Sequence, residues 1–175
     1  TISDAARSII SDLPYDYPCR SAANIKAVRA ATRTFIERQV EKVLEYYEIK
    51  ITQKLIGGVN CLILRPKKQL ATWKIFYIFG GGFVSGSAYE DLTIAAPISW
   101  ITGTEVIIPE YRLAPEHPWP AARDDTMAVY SELSENRPAI VGESAGGNLA
   151  LVNMLKAKKI GLKLPVAAAL LSPWC

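Results

Sequence analysis

Few cysteines, no long apolar run and no strong charge excess limit what this chain of 175 residues can be. Its three cysteines, Cys19, Cys61 and Cys175, are far apart and form no C-x-x-C pair. Neither a zinc site nor a disulfide framework is expected, and a reducing, cytoplasmic setting fits that spacing. No apolar stretch approaches the roughly 18 residues of a membrane span. The start, Thr1-Ile2-Ser3-Asp4, carries no initiating Met and no charged-then-apolar signal pattern, and is expected to be a trimmed one. Net charge is only +3, and the basic residues are scattered. Lys67-Lys68 and the run from Lys156 to Lys159 read as a solvated face or a helix end, not a nucleic-acid patch. No internal repeat or low-complexity segment is present. What remains is a globular balance, 50% hydrophobic and 21% charged, with enough apolar material for one core.

Periodicity divides the chain. Residues 3 to 12 read as a short helix stopped by Pro14 and the turn from Tyr15 to Pro18. Residues 21 to 47 read as a long one, capped by Ser21. Its apolar face is Ile25, Val28, Thr32, Phe35, Ile36, Val40, Val43, Leu44 and Tyr47, with Arg29, Arg33, Glu37, Arg38, Glu41 and Lys42 opposite. From residue 49 strands dominate. Segments 49–55 and 61–65 flank Gly57-Gly58 as a hairpin. Further strands are expected at 73–79, 105–109, 139–142 and 166–171, with helices at 88–102, 119–135 and 145–159. A spacing of about thirty residues and strands without polar alternation imply parallel pairing with helices on both faces. The fold class is therefore α/β, a doubly wound and mostly parallel sheet opened by an antiparallel hairpin. Residues 1–47 form a helical segment, and 48–175 the α/β unit.

Two glycine-rich turns stand where such a sheet places chemistry. Gly142-Glu143-Ser144-Ala145-Gly146 follows the apolar Ala139-Ile140-Val141 and leads into the helical Asn148 to Val152. G-x-S-x-G between a strand and a helix is a nucleophile elbow: a strained turn lifts the serine hydroxyl out of the sheet, and small flanking residues let backbone pass close by. A phosphate loop would need G-x-x-x-x-G-K-[ST], and no Lys follows these glycines. About sixty residues earlier, Phe79-Gly80-Gly81-Gly82-Phe83 follows another apolar strand. Its backbone N–H groups can converge on one point, as an oxyanion hole requires.

These residues are similar to the hormone-sensitive-lipase-like carboxylesterases with the H-G-G-G signature. The resemblance runs from about Ile75 to Trp174. It rests on Gly80-Gly81-Gly82-Phe83, on the block from Pro109 to Ala122 (Pro-Glu-Tyr-Arg-Leu-Ala-Pro-Glu-His-Pro-Trp-Pro-Ala-Ala), on Gly142 to Gly147 and on Leu171-Ser172-Pro173-Trp174. It implies an α/β-hydrolase fold and a serine carboxylesterase that attacks a small acyl ester through Ser144. It also implies an oxyanion hole from the N–H groups of Gly81, Gly82 and Ala145, and a cap or lid in residues 1–47. No cofactor, metal or nucleic acid is implied. Phe79 stands where the signature has His, so the loop must be held without that imidazole. Plant gibberellin receptors resemble the same family without its catalytic histidine. A non-catalytic ligand-binding protein is thus the alternative, and an interaction module or pseudoenzyme a third.

Ser144 lacks activating partners within the chain. In this fold the order is Ser, then Asp or Glu, then His, yet no acid and no histidine follows Ser144. The one histidine, His117, lies upstream in the Pro-Glu-His-Pro loop and is given a structural place, as are Asp124 and Asp125 at a helix start. Arg112 and Glu116 are expected to pin that loop. The triad acid and base are expected beyond Cys175, and the isolated 175 residues to be nearly inert. A last strand without its later neighbours would leave an edge open to homo-oligomerisation.

Overall fold

The computed structural model describes residues 3–11 and 23–175. Pro14, the turn from Tyr15 to Pro18, Cys19 and the Ser21 cap lie outside the described residues. In chain order the elements are α1 (Asp4–Ser11), α2 (Ile25–Tyr47), β1 (Lys50–Ile56), β2 (Val59–Arg65), β3 (Lys74–Ile78), α3 (Leu92–Thr102), β4 (Glu105–Pro109), α4 (Ala121–Leu133), β5 (Ala139–Glu143), α5 (Ala145–Ile160) and β6 (Ala168–Leu171). A single 3-10 turn, Ser134–Asn136, follows α4.

The six strands form one sheet in the order β1-β2-β4-β3-β5-β6. β1 pairs antiparallel with β2 and β2 with β4, while β4, β3, β5 and β6 run parallel. The doubly wound, mostly parallel sheet with an opening hairpin is therefore as the sequence implies. Gly57 and Gly58 turn the hairpin with φ of 57° and 77°, the double left-handed geometry of a turn that matches strand twist. The chain steps from β3 to β4 through α3, then returns past β3 to β5 through α4 and on to β6 through α5. Because such crossovers are right-handed, the reversal puts α3 on one face and α4 with α5 on the other. β3 is thus the topological switch point, and the crevice beyond the carboxyl ends of β3 and β5 is where such sheets place ligands.

The core fills both faces of β2, β3, β4 and β5. Phe76, Tyr77, Ile78, Val106, Ile108 and Ile140 are completely buried. Val40, with Ile36, Val43 and Leu44 beside it, brings the second half of α2 onto this core. Two features of α2 differ from the periodicity. Phe35 is 40% exposed, and Arg29, read as facing solvent, turns towards the Val84 and Ala114 carbonyls in two loops. α2 packs mainly against α3 rather than against the strands, and its buried residues Ile25, Val28 and Val40 do not make one continuous stripe.

Of the two described cysteines, Cys61 is buried and Cys175 exposed, both unpaired. Burial, with Glu110 and Glu132 nearby, pushes the Cys61 thiol up to about 12. Thiolate is the reacting species, so iodoacetamide at pH 8 is expected to modify Cys175 and leave Cys61 intact until urea unfolds the chain. Equal modification of both in native protein, read by peptide mass, would contradict this burial.

Candidate active site

β5 ends at Glu143, and α5 begins at Ala145, so Ser144 alone makes the junction. Its φ of 50° and ψ of −115° lie in a strained region for a residue with a Cβ. Surrounding bonds hold it there. The Ser144 N–H donates to the Leu171 carbonyl at 2.9 Å, and the Ser144 carbonyl accepts from Trp174 N–H at 2.9 Å and Asn148 N–H at 3.2 Å. The close fit behind it depends on Gly146. A Cβ there would lie 2.0 Å from the Ile78 carbonyl oxygen and 2.4 Å from that of Phe79. The start of α5 therefore rests directly on the end of β3, and that contact brings the serine beside the Gly80-Gly81-Gly82 loop.

The loop leaves β3 through a tight turn. Gly81 (φ 110°), Gly82 (φ 65°) and Phe83 (φ 64°) have consecutive positive φ. The Gly81 carbonyl accepts from Ser85 N–H at 3.0 Å and Ser85 Oγ at 2.9 Å. A Cβ on Gly81 would sit 2.0 Å from the Ser85 carbonyl oxygen. Gly81, Gly82, Glu143 and Ser144, with Ser172, Pro173 and Trp174, line one open cleft of about 470 Å³. Ala145 lies beneath, fully buried as the first residue of α5, where helix N–H groups have no intrahelical partner.

The structure shows how this loop is braced with Phe79 in place of histidine. The Phe79 ring is buried and stacks on Tyr111, centroids 4.1 Å apart and planes 12° from parallel. The Tyr111 hydroxyl donates to the Phe79 carbonyl at 2.9 Å. On the next residue the Gly80 N–H donates to the Asp91 carboxylate, which also accepts from the Tyr77 hydroxyl at 2.8 Å. The Phe79–Gly80 peptide is thus gripped at its carbonyl by Tyr111 and at its N–H by Asp91. No short-range signal in the sequence marks Asp91 or Tyr111 for this; the partners meet only through the sheet.

Two carboxylates crowd this point. Burial raises the pKa of Asp91, partly opposed by the Tyr77 and Gly80 hydrogen bonds. Burial and then the Asp91 charge raise that of Glu143, whose Oε2 lies against Gly80. A carboxyl with a raised native pKa keeps its proton better folded than unfolded. Stability is therefore full below the ordinary carboxylate range and falls as pH climbs through the raised native values. Glu143→Gln is expected to flatten that fall, measured as urea midpoints between pH 4 and 7. Parallel profiles for the two proteins would contradict the pairing.

The other sequence candidates lie apart from Ser144. His117 is exposed and lines a separate pocket with Phe83, Ala114, Trp119, Ala122 and Leu149. Asp125, nearly buried, takes a forked contact from Arg112 at 2.7 to 3.1 Å. Asp124 pairs with Arg123, and Glu116 with Arg29 at 2.9 Å. Arg29 also donates to the carbonyls of Val84 at 2.8 Å and Ala114 at 2.7 Å. The Arg33 guanidinium lies 3.4 Å above the Tyr89 ring. The two arginines tie α2 to the segment that follows the glycine loop and to the loop before α4, a role that helical periodicity could not reveal.

Known proteins share this arrangement. A family model described as the alpha/beta hydrolase fold matches residues 75–175. An esterase of Acinetobacter venetianus is 38% identical over 160 residues, covering 89% of this chain and 52% of its own length. An acetyl-hydrolase of Streptomyces hygroscopicus is 33% identical over 124 residues, 68% of this chain and 41% of its own. Among solved structures, a hormone-sensitive lipase from a metagenome library matches with a TM-score of 0.81 and 30% identity. That match covers 95% of this chain and 57% of that one. The chain spans about half the length of these relatives.

Proposed function

Because this chain belongs to the α/β-hydrolase family whose relatives are esterases and acetyl-hydrolases, we propose that it carries the nucleophile and oxyanion hole of a serine carboxylesterase. One observation supports this above the rest. Ser144, at a strained strand-to-helix junction, shares a single cleft with Gly81 and Gly82. In this reading Ser144 Oγ attacks the carbonyl carbon of a small acyl ester as a base takes its proton. N–H groups of Gly81, Gly82 and Ala145 stabilise the resulting oxyanion. Collapse breaks the ester C–O bond, the alcohol leaves with that proton, and water then hydrolyses the acyl-serine. The α5 N-terminus adds a favourable dipole for the developing negative charge.

A serine hydroxyl needs an imidazole oriented by a carboxylate, and the chain's single imidazole lines a different pocket. The acid and base are assigned to a segment outside these 175 residues, and the 175 residues alone to near-inactivity. Residues 1–47 act as the cap, a role supported by the Arg29 contacts. Among the described residues β6 pairs with β5 alone, and that edge supports self-association. No helix among the described residues is long and apolar enough to cross a membrane; the cytoplasmic assignment rests on the cysteine spacing.

A receptor-like, non-catalytic reading draws on Phe79 and the absent base, and one experiment separates the two. A fluorophosphonate probe is expected to label the 175-residue chain slowly, to label it faster as neutral imidazole is added, and to leave Ser144→Ala unlabelled. No labelling at any imidazole concentration would sink the esterase reading and favour the receptor-like one.

A further inference from the structure

We propose that the end of the sheet opposite the Ser144 cleft docks this protein on a membrane surface that contains anionic phospholipid. The inference goes beyond the esterase reading and does not rest on it. An open groove of about 390 Å³ lies at that end, between the end of α2, the loop from β2 to β3 and the last turn of α3. Leu70, Trp100 and Ile101 line it together with Lys67 and Lys68. Tyr47 carries the surface on to Tyr46, its ring 5.4 Å from that of Trp100 and 4.8 Å from that of Tyr46. Leu70, Trp100, Ile101 and Tyr46 are 53% to 76% exposed. Large apolar side chains gathered at one place on a surface mark a site of interaction.

The fold holds these side chains outward. Leu92, Ala95, Ala96 and Ser99 are the buried stripe of α3, so Trp100 and Ile101, the next two residues, turn away from it. The Leu70 N–H donates to the Gly103 carbonyl at 2.8 Å, which pins the loop from β2 to β3 against the end of α3. Charge then decides the partner. Glu48 pairs with Lys67 at 2.5 Å, and Glu105 is shared by Arg65 and Lys74. Lys50 and Lys68 have no carboxylate partner among the described residues. Glu45, exposed in the last turn of α2, offsets only one of them. The face is therefore positive as well as apolar. Aromatic and aliphatic side chains standing among lysines suit lipid headgroups, with rings at the interface and ammonium groups on phosphate. A second copy seated on the same face would instead bring two positive patches together. β3 runs from this end to the Gly80 loop, so a docked molecule holds the Ser144 cleft away from the bilayer.

Sedimentation of the 175-residue chain with sucrose-loaded vesicles tests this without any serine chemistry. Vesicles of equal parts phosphatidylcholine and phosphatidylglycerol are expected to carry the protein down, and phosphatidylcholine alone to leave it in solution. Lys68→Glu should weaken binding by more than about fivefold, the worth of one lysine at an anionic surface. Lys26→Glu, the same change near the start of α2, should have a smaller effect. Trp100→Ala combined with Ile101→Ser should abolish binding and leave the urea midpoint in place, because both side chains are exposed. No sedimentation, equal binding to the two kinds of vesicle, equal losses in Lys68→Glu and Lys26→Glu, or full binding by the double variant would each overturn the docking face. Dimers that form with rising protein concentration in light scattering, and that the double variant loses, would give the face to a second copy and overturn it as well.

Discussion

Gly146→Ala is expected to be among the most destabilising single-methyl additions in this chain. The new Cβ would meet the carbonyl oxygens of Ile78 and Phe79 at 2.0 and 2.4 Å. Both are backbone atoms at and just past the end of β3, which is buried from Ile75 onward, so neither can swing aside as a side-chain tip would. Relief requires α5 to lift from β3. That movement opens the core around Leu149 and Ala150, both completely buried. Overpacking in a well-fitted core typically costs about 1 to 3 kcal/mol, and the rigidity of both partners puts this case at or above the upper end. Urea unfolding should show a lower midpoint, or expression should give no folded protein. A change under about 0.5 kcal/mol, the range of ordinary surface substitutions, would mean that the helix does not rest on the strand.

Gly81→Ala should spare the fold more and the chemistry less. Its φ of 110° is closed to a residue with a Cβ, and the added methyl would lie 2.0 Å from the Ser85 carbonyl. The turn must reopen, which in the proposed reading carries the N–H groups of residues 81 and 82 away from Ser144. β3 and β5 keep their ladder, because the strain falls beyond Ile78. Loss of one oxyanion donor typically costs about 10² to 10³ in rate. Imidazole-assisted phosphonylation of Ser144 is therefore expected to slow by at least about 10²-fold, with a smaller fractional change in the urea midpoint than Gly146→Ala shows. Unchanged labelling would separate the glycine loop from the serine's chemistry.

The strand–serine–helix junction was legible because local chemistry determines it: an apolar strand, small residues around one serine, then a helix. The parallel order was legible from spacing, since a crossover needs a minimum length of chain. What could not be read depends on partners distant in sequence. Arg29 binds the carbonyls of Val84 and Ala114, 55 and 85 residues away, yet in the helical pattern it looks like any solvated cation. Asp91 and Tyr111 grip the Phe79–Gly80 peptide, and neither is near it in sequence. The substitution of Phe79 for a histidine looked like a lost brace; in three dimensions the ring packs on Tyr111, whose hydroxyl holds the loop by its carbonyl. His117, the sole imidazole of the sequence, lines a different pocket from the Ser144 cleft.

A structure of the chain with Ser144 phosphonylated tests most directly whether the serine and the glycine loop converge on one oxyanion. The phosphoryl oxygen is expected within about 2.7 to 3.1 Å of the backbone nitrogens of Gly82 and Ala145, with the loop and α5 otherwise unmoved. An adduct whose phosphoryl oxygen points into solvent, away from both nitrogens, would contradict the account.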